Sequence, residues 1–385
     1  MIGSDLGAMI PLARKSIIYE WRRFAPAIFA VAFSGVLLLT QAALAVGIFA
    51  TVAVYIERSD AELWVGFPGT PSIDQGRYIS ARTESLVRMH PQVARTEPFS
   101  WAGGVWRSRP GQGDIAVVLA GIDPRAGSLT FADVVSPALR DRLKAPGAVL
   151  VDIADRNKLG VEIGSTAEIN GKRVRVVGFT EGLRGLGSIN VVSSLSTARD
   201  LDPGLHETDD VAYFLVKLRE GADPEAVRQD LSPKGPLARY EAWTARDFAD
   251  RTTNFWLFES GMGTAFGVSS LIALGVAIVI TSQTLMAAVA ASIREYATLR
   301  ALGAPGRLLR GIVLQQSLWV GLAGMAIAAI VSALILWLAK LAHVPVALSP
   351  VIVGGCLGLV LMVAISSGLI ALGQLTKADP AALLR

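Results

Sequence analysis

Histidines, cysteine and adjacent carboxylates are the residues of this 385-residue sequence whose chemistry could support catalysis or metal binding. The three histidines, His90, His206 and His343, lie far apart and lack the short ligand spacing of a zinc site. Asp209 and Asp210 form a carboxylate pair, but neighbouring residues at the start of a strand point to opposite faces. We therefore expect a solvated loop at this pair, and no metal centre.

A glycine-rich stretch at 181–188, Glu-Gly-Leu-Arg-Gly-Leu-Gly-Ser, could be taken for a phosphate-binding loop. It lacks the Lys-Ser/Thr pair of a P-loop and opens no evident amphipathic helix, which favours a mobile surface loop. The single cysteine, Cys356, lies in an apolar run and is interpreted as a packing residue. Trp101 and Trp106 are interpreted as core or interface residues rather than a ligand platform. The sequence predicts a non-catalytic chain without a cofactor of its own, so any energy must come from a partner.

The elements around these residues include four long runs without a charged residue, at 26–56, 261–293, 311–339 and 341–376. Each exceeds the roughly 20 residues that an apolar helix needs to cross a bilayer. The first run is too long, and begins too far from the N-terminus, for a cleaved signal peptide. With 52% hydrophobic residues, the sequence predicts four transmembrane helices.

The basic residues are distributed unevenly around these runs, which sets the predicted orientation. They precede the first run (Arg14, Lys15, Arg22, Arg23), separate the second from the third (Arg294, Arg300, Arg307, Arg310) and follow the fourth (Lys377, Arg385), whereas the remaining turn offers only Lys340. The positive-inside rule then places both termini and the middle turn in the cytoplasm and residues 57–260 outside. The net charge of +4 is explained by this orientation rather than by nucleic-acid binding.

The outside segment has the composition of a soluble α+β domain. The Asn170-Gly171 pair predicts a hairpin, because both residues tolerate the positive φ angles of a type I′ turn. Short apolar runs predict strands at Ala61–Phe67, Gly104–Trp106, Ile115–Ala120, Ala148–Val151 and Val211–Leu218, and the Asp-Pro-Glu opening of Ala222–Leu231 predicts a helix. The predicted fold class is a membrane α-helical protein with four transmembrane helices and an α+β periplasmic domain inserted between helices 1 and 2.

Two sequence patterns leave alternatives open. Gly263 and Gly267, like Gly354 and Gly358, repeat at the spacing that lets helix backbones approach closely, either within one subunit or in a dimer. At 293–305, apolar residues at helical spacing alternate with arginine and glutamate, and Gly303 and Pro305 end the pattern. This amphipathic segment fits an interfacial anchor and a docking helix equally well.

A resemblance decides between these two readings of 293–305. The stretch R-E-Y-A-T-L-R-A-L-G-A resembles the coupling segment of FtsX/MacB-type ABC transporter permeases, and its E-Y-A-T-L form is similar to the DevC-like branch. The order of one span, a large domain and three spans agrees, as do the Pro-x-x-x-L-R-like tail at Asp379–Arg385, the stretch Asp60–Val65 and the Asn170–Phe179 hairpin.

Membership of this family implies a division of the chain and its partners. The segments are an amphipathic N-terminal helix on the inner leaflet (1–25), the first span (26–56), the periplasmic MacB-like core domain (57–260), the second span (261–293), the cytoplasmic coupling helix and turn (294–310), the third span (311–339), a short periplasmic turn (340–345), the fourth span (346–376) and a cytoplasmic tail (377–385). The coupling residues are Arg294, Glu295, Tyr296, Ala297, Leu299, Arg300, Leu302 and Gly303, and the apolar residues of the membrane-surface helix are Leu12, Ile17, Ile18, Trp21 and Phe24.

The resemblance further implies a multi-pass protein of the bacterial inner membrane that transmits force instead of forming a channel. Its partners would be a cytoplasmic ABC ATPase dimer that binds ATP and Mg²⁺, a second copy of the permease, the lipid bilayer, a periplasmic membrane-fusion adaptor and a TolC-like outer-membrane duct. The exported molecule would be a glycolipid, lipid or peptide. Two alternatives stay within the family: an FtsX-like subunit that activates cell-wall hydrolases, and a LolC/LolE-like permease that releases lipoproteins.

Overall fold

The computed structural model describes residues 21–108, 113–185, 188–202, 209–232, 238–291 and 305–375. In chain order the helices are α1 (Trp21–Phe49), α2 (Val54–Glu57), α3 (Arg82–Arg88), α4 (Pro137–Leu143), α5 (Arg156–Leu159), α6 (Leu195–Leu201), α7 (Pro224–Leu231), α8 (Ala245–Asn254), α9 (Met262–Ala291), α10 (Gly306–Leu341) and α11 (Pro350–Leu375). The strands are β1 (Leu63–Gly66), β2 (Val93–Arg107), β3 (Ile115–Ile122), β4 (Ala148–Asp152), β5 (Thr166–Ile169), β6 (Lys172–Thr180), β7 (Asn190–Ser194), β8 (Tyr213–Leu218) and β9 (Glu241–Thr244). Short 3₁₀ turns lie at Ile73–Gln75 and Ile153–Asp155, and a π-helical turn lies at Phe255–Glu259.

These elements form two compact units. The helical unit comprises the chain up to Gly47 and from Thr264 onward, and the mixed domain comprises Ile48–Gly263. The mixed domain is therefore inserted in the sequence between the first and second long helices, as the sequence predicts.

Within the described residues, the helical unit contains four helices that are long and apolar enough to cross a membrane, which agrees with the four spans that the sequence predicts. Their apolar stretches are Arg22–Phe49, Met262–Thr284, Gly311–Leu341 and Pro350–Leu369. Such a segment must be helical in lipid, because only a helix satisfies its backbone hydrogen bonds internally. The last helix begins at Pro350, where the missing N–H of proline costs no helical hydrogen bond.

The first apolar run does not form one continuous helix. It ends as α1 at Phe49, and Val54, Tyr55 and Ile56 of α2 are buried inside the mixed domain. The run extends past the span because its last residues belong to a hydrophobic core, and hydropathy alone does not distinguish that core from a bilayer.

The described residues of the mixed domain form nine strands in the order β3-β7-β4-β6-β5-β2-β8-β1-β9, and β3 also pairs with β2. Six of these strands, β2, β3, β7, β4, β6 and β5, therefore close into a ring. The long strand β2 leaves the ring through its first half, where it pairs with β8 and extends the sheet towards β1 and β9. The predicted hairpin is confirmed: β5 and β6 pair as Ile169↔Lys172, and Asn170 and Gly171 have φ angles of 51° and 79°.

Alternating side chains of the strands contribute to separate cores. In β4, Val149 and Val151 belong to one cluster with β2, β3, β5, β6 and β7 residues of the ring, whereas Ala148 and Leu150 belong to a second cluster that includes α2 and α8 residues. A third cluster lies between β1, β8 and the helices α3 and α7. The sheet formed by β9, β1, β8 and the first half of β2 thus carries hydrophobic clusters on both faces, which contain α2 and α8 residues on one face and α3 and α7 residues on the other.

Candidate functional site

Most of the predicted interaction residues lie outside the described residues. These are the coupling residues Arg294, Glu295, Tyr296, Ala297, Leu299, Arg300, Leu302 and Gly303, and Leu12, Ile17 and Ile18 of the predicted surface helix. Their roles stay predictions. Trp21 is the first residue of α1.

Phe24 is placed differently from a residue on a membrane-surface helix. It lies within α1, is only 1% exposed, and belongs to a cluster with Val31, Val320 and Val360 of three long helices. An amphipathic surface helix would instead present this ring to lipid. The described part of the predicted 1–25 helix is thus the beginning of the first long helix, and Phe24 fixes it against its neighbours.

The glycines predicted to mediate helix packing have few neighbours within the chain. A Cβ added at Gly267, Gly354 or Gly358 would meet no atom within 4 Å, so these residues do not bring helix backbones of the described chain together. A Cβ at Gly263 would lie 1.9 Å from the carbonyl oxygen of Leu257. The adjoining π-helical turn therefore requires glycine at this position. The other alternative, that Gly354 and Gly358 pack in a dimer, is not tested by these contacts.

Close helix packing is provided by other glycines. A Cβ at Gly35 of α1 would come within 2.6 Å of the Ala328 Cβ of α10, and one at Gly324 would come within 2.6 Å of Val31. The α1–α10 contact therefore depends on a small residue at each of these two positions, Gly35 and Gly324.

In the described part of the chain, side-chain hydrogen bonds link α9 to two other long helices. Gln41 of α1 donates to the Ser269 hydroxyl, and the Ser282 hydroxyl donates to that of Ser367 in α11 at 3.0 Å. Such bonds matter here because apolar burial supplies little attraction between helices in lipid.

The first junction is the place where the chain passes from α1 into the mixed domain. It is anchored in the core of that domain by α2, which we call the first root. Tyr55 is 1% exposed, and its ring lies 4.7 Å from that of Trp101 and 5.5 Å from that of Phe131. Burial raises the pKa of the Tyr55 phenol well above its usual range, so the ring stays uncharged. Just beyond α2, Arg58 pairs with Asp133 at 2.6 Å.

The second junction is the place where the chain passes from the mixed domain into α9. It is anchored in the same core by α8, which we call the second root. Phe248 is fully buried, stacks on Trp243 with ring centroids 4.9 Å apart, and lies 5.5 Å from Tyr213. The following π-helical turn is fixed as well, because the Trp256 indole donates to Ser72 at 3.2 Å and to Asp74 at 3.1 Å. π-Helical turns of this kind are rare and often occur at functional sites.

A buried carboxylate and a buried guanidinium hold the 123–135 loop against the first junction. Glu97 is fully buried and accepts hydrogen bonds from the Ser128 hydroxyl, the Leu129 amide at 2.6 Å, and the amide and hydroxyl of Thr130. Arg140, 3% exposed, donates to several backbone carbonyls of the same loop. A charge in a core is tolerated when it is hydrogen-bonded in this way. The loop in turn positions Phe131 against the Tyr55 ring.

The described part of the glycine-rich stretch is anchored, which corrects its interpretation as a mobile surface loop. Leu183 is fully buried and its amide donates to Asp152 at 3.0 Å, while an Arg184 nitrogen lies 3.1 Å from an Asp155 carboxylate oxygen. A Cβ at Gly185 would lie 2.7 Å from the ring of Tyr55, so only glycine permits this approach. Burial raises the pKa of Asp155, and the nearby guanidinium opposes the shift.

The remaining candidate residues play structural roles. Asp209 is exposed before β8 and lies 3.4 Å from Arg199, as expected for a solvated loop, and Trp106 is fully buried as predicted. His90 lies 3.7 Å from Asp230, and among the described residues no group of three or more His, Cys, Asp or Glu side chains could hold a metal. Cys356 is a free, partly buried thiol.

The two roots were not predicted from the sequence. The first root is an apolar tripeptide, Val54–Ile56, at the end of a predicted span, and it was interpreted as part of that span. The second contains a single aromatic residue, Phe248, in a polar segment, which predicts no particular contact. The available signal was the length of the first charge-free run, which exceeds what a span requires.

Comparison with protein families matches both parts of the chain. Residues 25–234, more than half of the sequence, match the family model described as MacB-like periplasmic core domain, and residues 267–380 match the one described as FtsX-like permease C-terminal. Among curated proteins, none matches this sequence.

Solved structures with similarity to the chain include three domains of membrane proteins. The periplasmic region of MacB from Actinobacillus actinomycetemcomitans is 15% identical with a TM-score of 0.35, and the match covers 52% of this chain and 96% of that one. The extracellular domain of the ABC-type transporter YknZ from Gram-positive bacteria is 12% identical with a TM-score of 0.33, covering 48% and 99%. A permease domain from Porphyromonas gingivalis is 12% identical with a TM-score of 0.35, covering 49% and 91%.

Proposed function

Because the chain belongs to the family of multi-pass permeases with a MacB-like periplasmic core domain and an FtsX-like C-terminal region, we propose that it is the force-transmitting membrane subunit of an ATP-driven export complex. In this proposal the chain is non-catalytic. A partner ATPase binds ATP and Mg²⁺, and the spans pass its motion to the periplasmic domain.

The observation that carries the proposal is the rooting of both junctions in one core. Residues of α2 and α8 belong to the same hydrophobic cluster, together with Trp64, Phe99 and Tyr213. The links to the long helices are short, since four residues separate Phe49 from Val54 and two separate Glu259 from Met262. Four residues reach at most about 14 Å and two about 7 Å, so such links absorb little displacement.

Backbone hydrogen bonds restrict these links further. The Thr51 amide donates to Ile48 at 3.0 Å, the Val54 amide donates to Thr51 at 3.3 Å, and the Ser260 amide donates to Phe255 at 2.8 Å. A displacement of a span would therefore move the root of the domain. The spans carry no ionisable residue in their apolar centres, whereas solute and proton pathways usually need such residues. Spans of this kind suit the transmission of force through rigid helices.

The cytoplasmic end of this transmission is the segment Arg294–Gly303. In the proposal it docks on an ABC ATPase dimer, with two permeases per complex in the bacterial inner membrane and both termini in the cytoplasm. The distribution of arginine and lysine supports this orientation. In the sequence, the segment begins three residues after Ala291, the last residue of α9.

On the outer side we assign the chain to the DevC-like branch, on the E-Y-A-T-L sequence at 295–299. Its partners would be a periplasmic adaptor of the membrane-fusion type and a TolC-like outer-membrane duct. The cargo would be an amphiphile, that is, a glycolipid, lipid or peptide.

Purification of the intact complex from its native membrane tests the proposal. We expect an ABC ATPase and a membrane-fusion adaptor to co-purify with the chain. Recovery of a cell-wall hydrolase in place of the adaptor would establish a signalling subunit, and recovery of lipoproteins without an adaptor would establish a lipoprotein-release permease.

Variants of the coupling segment test its role. Glu295→Lys or Leu299→Asp should leave membrane insertion intact and abolish co-purification of the ATPase. Lys340→Gln, a charge change in the last turn of α10 and predicted to lie on the opposite side of the membrane, is the matched control and should bind normally. Wild-type ATPase yield and turnover with both coupling variants would contradict the assignment.

A further inference from the structure

A cleft of about 710 Å³ opens beside the first junction of the mixed domain. Its lining includes Arg58, Asp133 and Glu181, with Val134, Ile153 and Phe179 as apolar residues. The volume lies in the range of small-molecule sites, which are commonly 300–1,000 Å³. Arg58 is nine residues beyond the end of α1 in the sequence, so a ligand here would touch the root of the first span.

The charged groups of the cleft are of both signs. Arg58 and Asp133 form an ion pair at 2.6 Å whose side chains are 46% and 52% exposed. Exposed pairs of this kind contribute at most about 1 kcal/mol, so a ligand with complementary charges can replace the contact at little cost. Glu181 is exposed and has no ion-pair partner in the described part of the chain, which leaves one uncompensated negative charge in the lining.

A second guanidinium near the apolar residues, that of Arg156, does not alter this balance. The Arg156 guanidinium lies 5.9 Å from the centre of the Phe179 ring but is itself paired with Glu162 at 2.9 Å. The cleft therefore offers one guanidinium, two carboxylates and an apolar surface.

From this lining we infer that the cleft binds a zwitterionic amphiphile, whose ammonium group is held by Glu181 and Asp133, whose anionic group is held by Arg58, and whose apolar part lies against Val134, Ile153 and Phe179. An amine-bearing phospholipid has this chemistry. A bound molecule would contact the 123–135 loop, the end of β6 and Arg58, the residue that follows α2. Binding would therefore restrain the first root directly.

That the ligand is the exported molecule rests on the proposed function, whereas its binding to the cleft does not. We would titrate the full chain in dodecyl maltoside with dihexanoyl phosphatidylethanolamine by calorimetry, against empty micelles. One saturable site is expected, and Glu181→Gln or Asp133→Asn should weaken it about tenfold, since each removes a charge-assisted contact.

Two comparison ligands and one control variant complete the experiment. Dihexanoyl phosphatidylglycerol has the same tails without the ammonium group, and glycerophosphoethanolamine has the head group without the tails; both should bind at least tenfold more weakly. Glu220→Gln, an exposed charge change elsewhere in the domain, should bind as the wild type does. Equal affinity for either comparison ligand, or no effect of Glu181→Gln, would overturn the inference. Normal lipid binding by a chain that recruits no ATPase would instead overturn only the proposed function.

Discussion

Lengthening the link between the mixed domain and α9 should disconnect the two mechanically. We consider an insertion of eight glycine and serine residues between Ser260 and Gly261, which form the present two-residue link. A link of two residues reaches at most about 7 Å, whereas a flexible link of ten residues has a root-mean-square length of about 16–19 Å. Displacements of α9 of several ångströms would then be absorbed by the linker.

The assay compares two readouts in the chain reconstituted with its ATPase. Hydrogen exchange is measured with and without ATP over α8 and the Phe255–Glu259 turn, and ATP hydrolysis is measured in parallel. In the wild type we expect ATP to change exchange in both segments. The insertion should reduce this change, most strongly in the Phe255–Glu259 turn, while ATP hydrolysis continues. The coupling segment lies on the other side of the inserted residues, and only the link through α1 and α2 stays short.

An insertion of the same eight residues after Gly221 is the matched control. Gly221 lies in an exposed turn with a φ of 82°, and no atom lies within 4 Å of its added Cβ, so the turn has room for additional chain. The control should retain the ATP-dependent change. If the insertion after Ser260 retained it as well, transmission through α9 and its short link would be refuted.

Three further changes probe the roots themselves. Phe248→Ala removes a fully buried ring and should lower the stability of the domain by about 3–5 kcal/mol, or its melting temperature by about 6–20 °C in tryptophan fluorescence, whereas Phe258→Ala, at a residue 72% exposed, should change little. Gly185→Ala should cost about 1–3 kcal/mol in the same melts because its methyl group would meet a buried tyrosine ring at 2.7 Å, whereas Gly103→Ala, with open space around it, should be neutral or slightly stabilising. Burial raises the pKa of Asp155 above its ordinary 3.8, so the ionised form lowers the stability of the domain at pH values above the raised pKa, and this loss disappears as the pH falls towards 3.8. The free energy of unfolding of Asp155→Asn, measured in urea, should therefore increase relative to that of the wild type from pH 4 to pH 7. A pH-independent difference would exclude this account.

Features determined by local sequence were predicted well. The spans follow from the absence of charge over more than 20 residues, and the β5–β6 hairpin follows from the backbone freedom of Asn170 and Gly171. The strands β1, β3, β4 and β8 were each predicted from one short apolar run. In all these cases the physical cause lies within the segment itself.

Features that depend on distant partners were not predicted. The first half of β2 contains Arg95, Glu97 and Pro98, and the sequence gives no sign that residues 31 to 33 positions later satisfy the Glu97 carboxylate inside the core. The interpretation of the glycine-rich stretch failed for the same reason. Glycine content suggested mobility, but Leu183 and Arg184 find their partners at Asp152 and Asp155.

The division of the first apolar run at Phe49 explains how one segment can serve both a span and a root. Val54 and Ile56 are 7% and 2% exposed, and burying such side chains contributes about 1.5–3 kcal/mol each, so extracting the two from the core would cost about 3–6 kcal/mol. The total stability of a folded domain is commonly 5–15 kcal/mol. Pulling α2 out would thus consume a large part of the stability of the domain. A moderate force on α1 should therefore move the domain as a body before it detaches the root, which is the property that a force-transmitting junction requires.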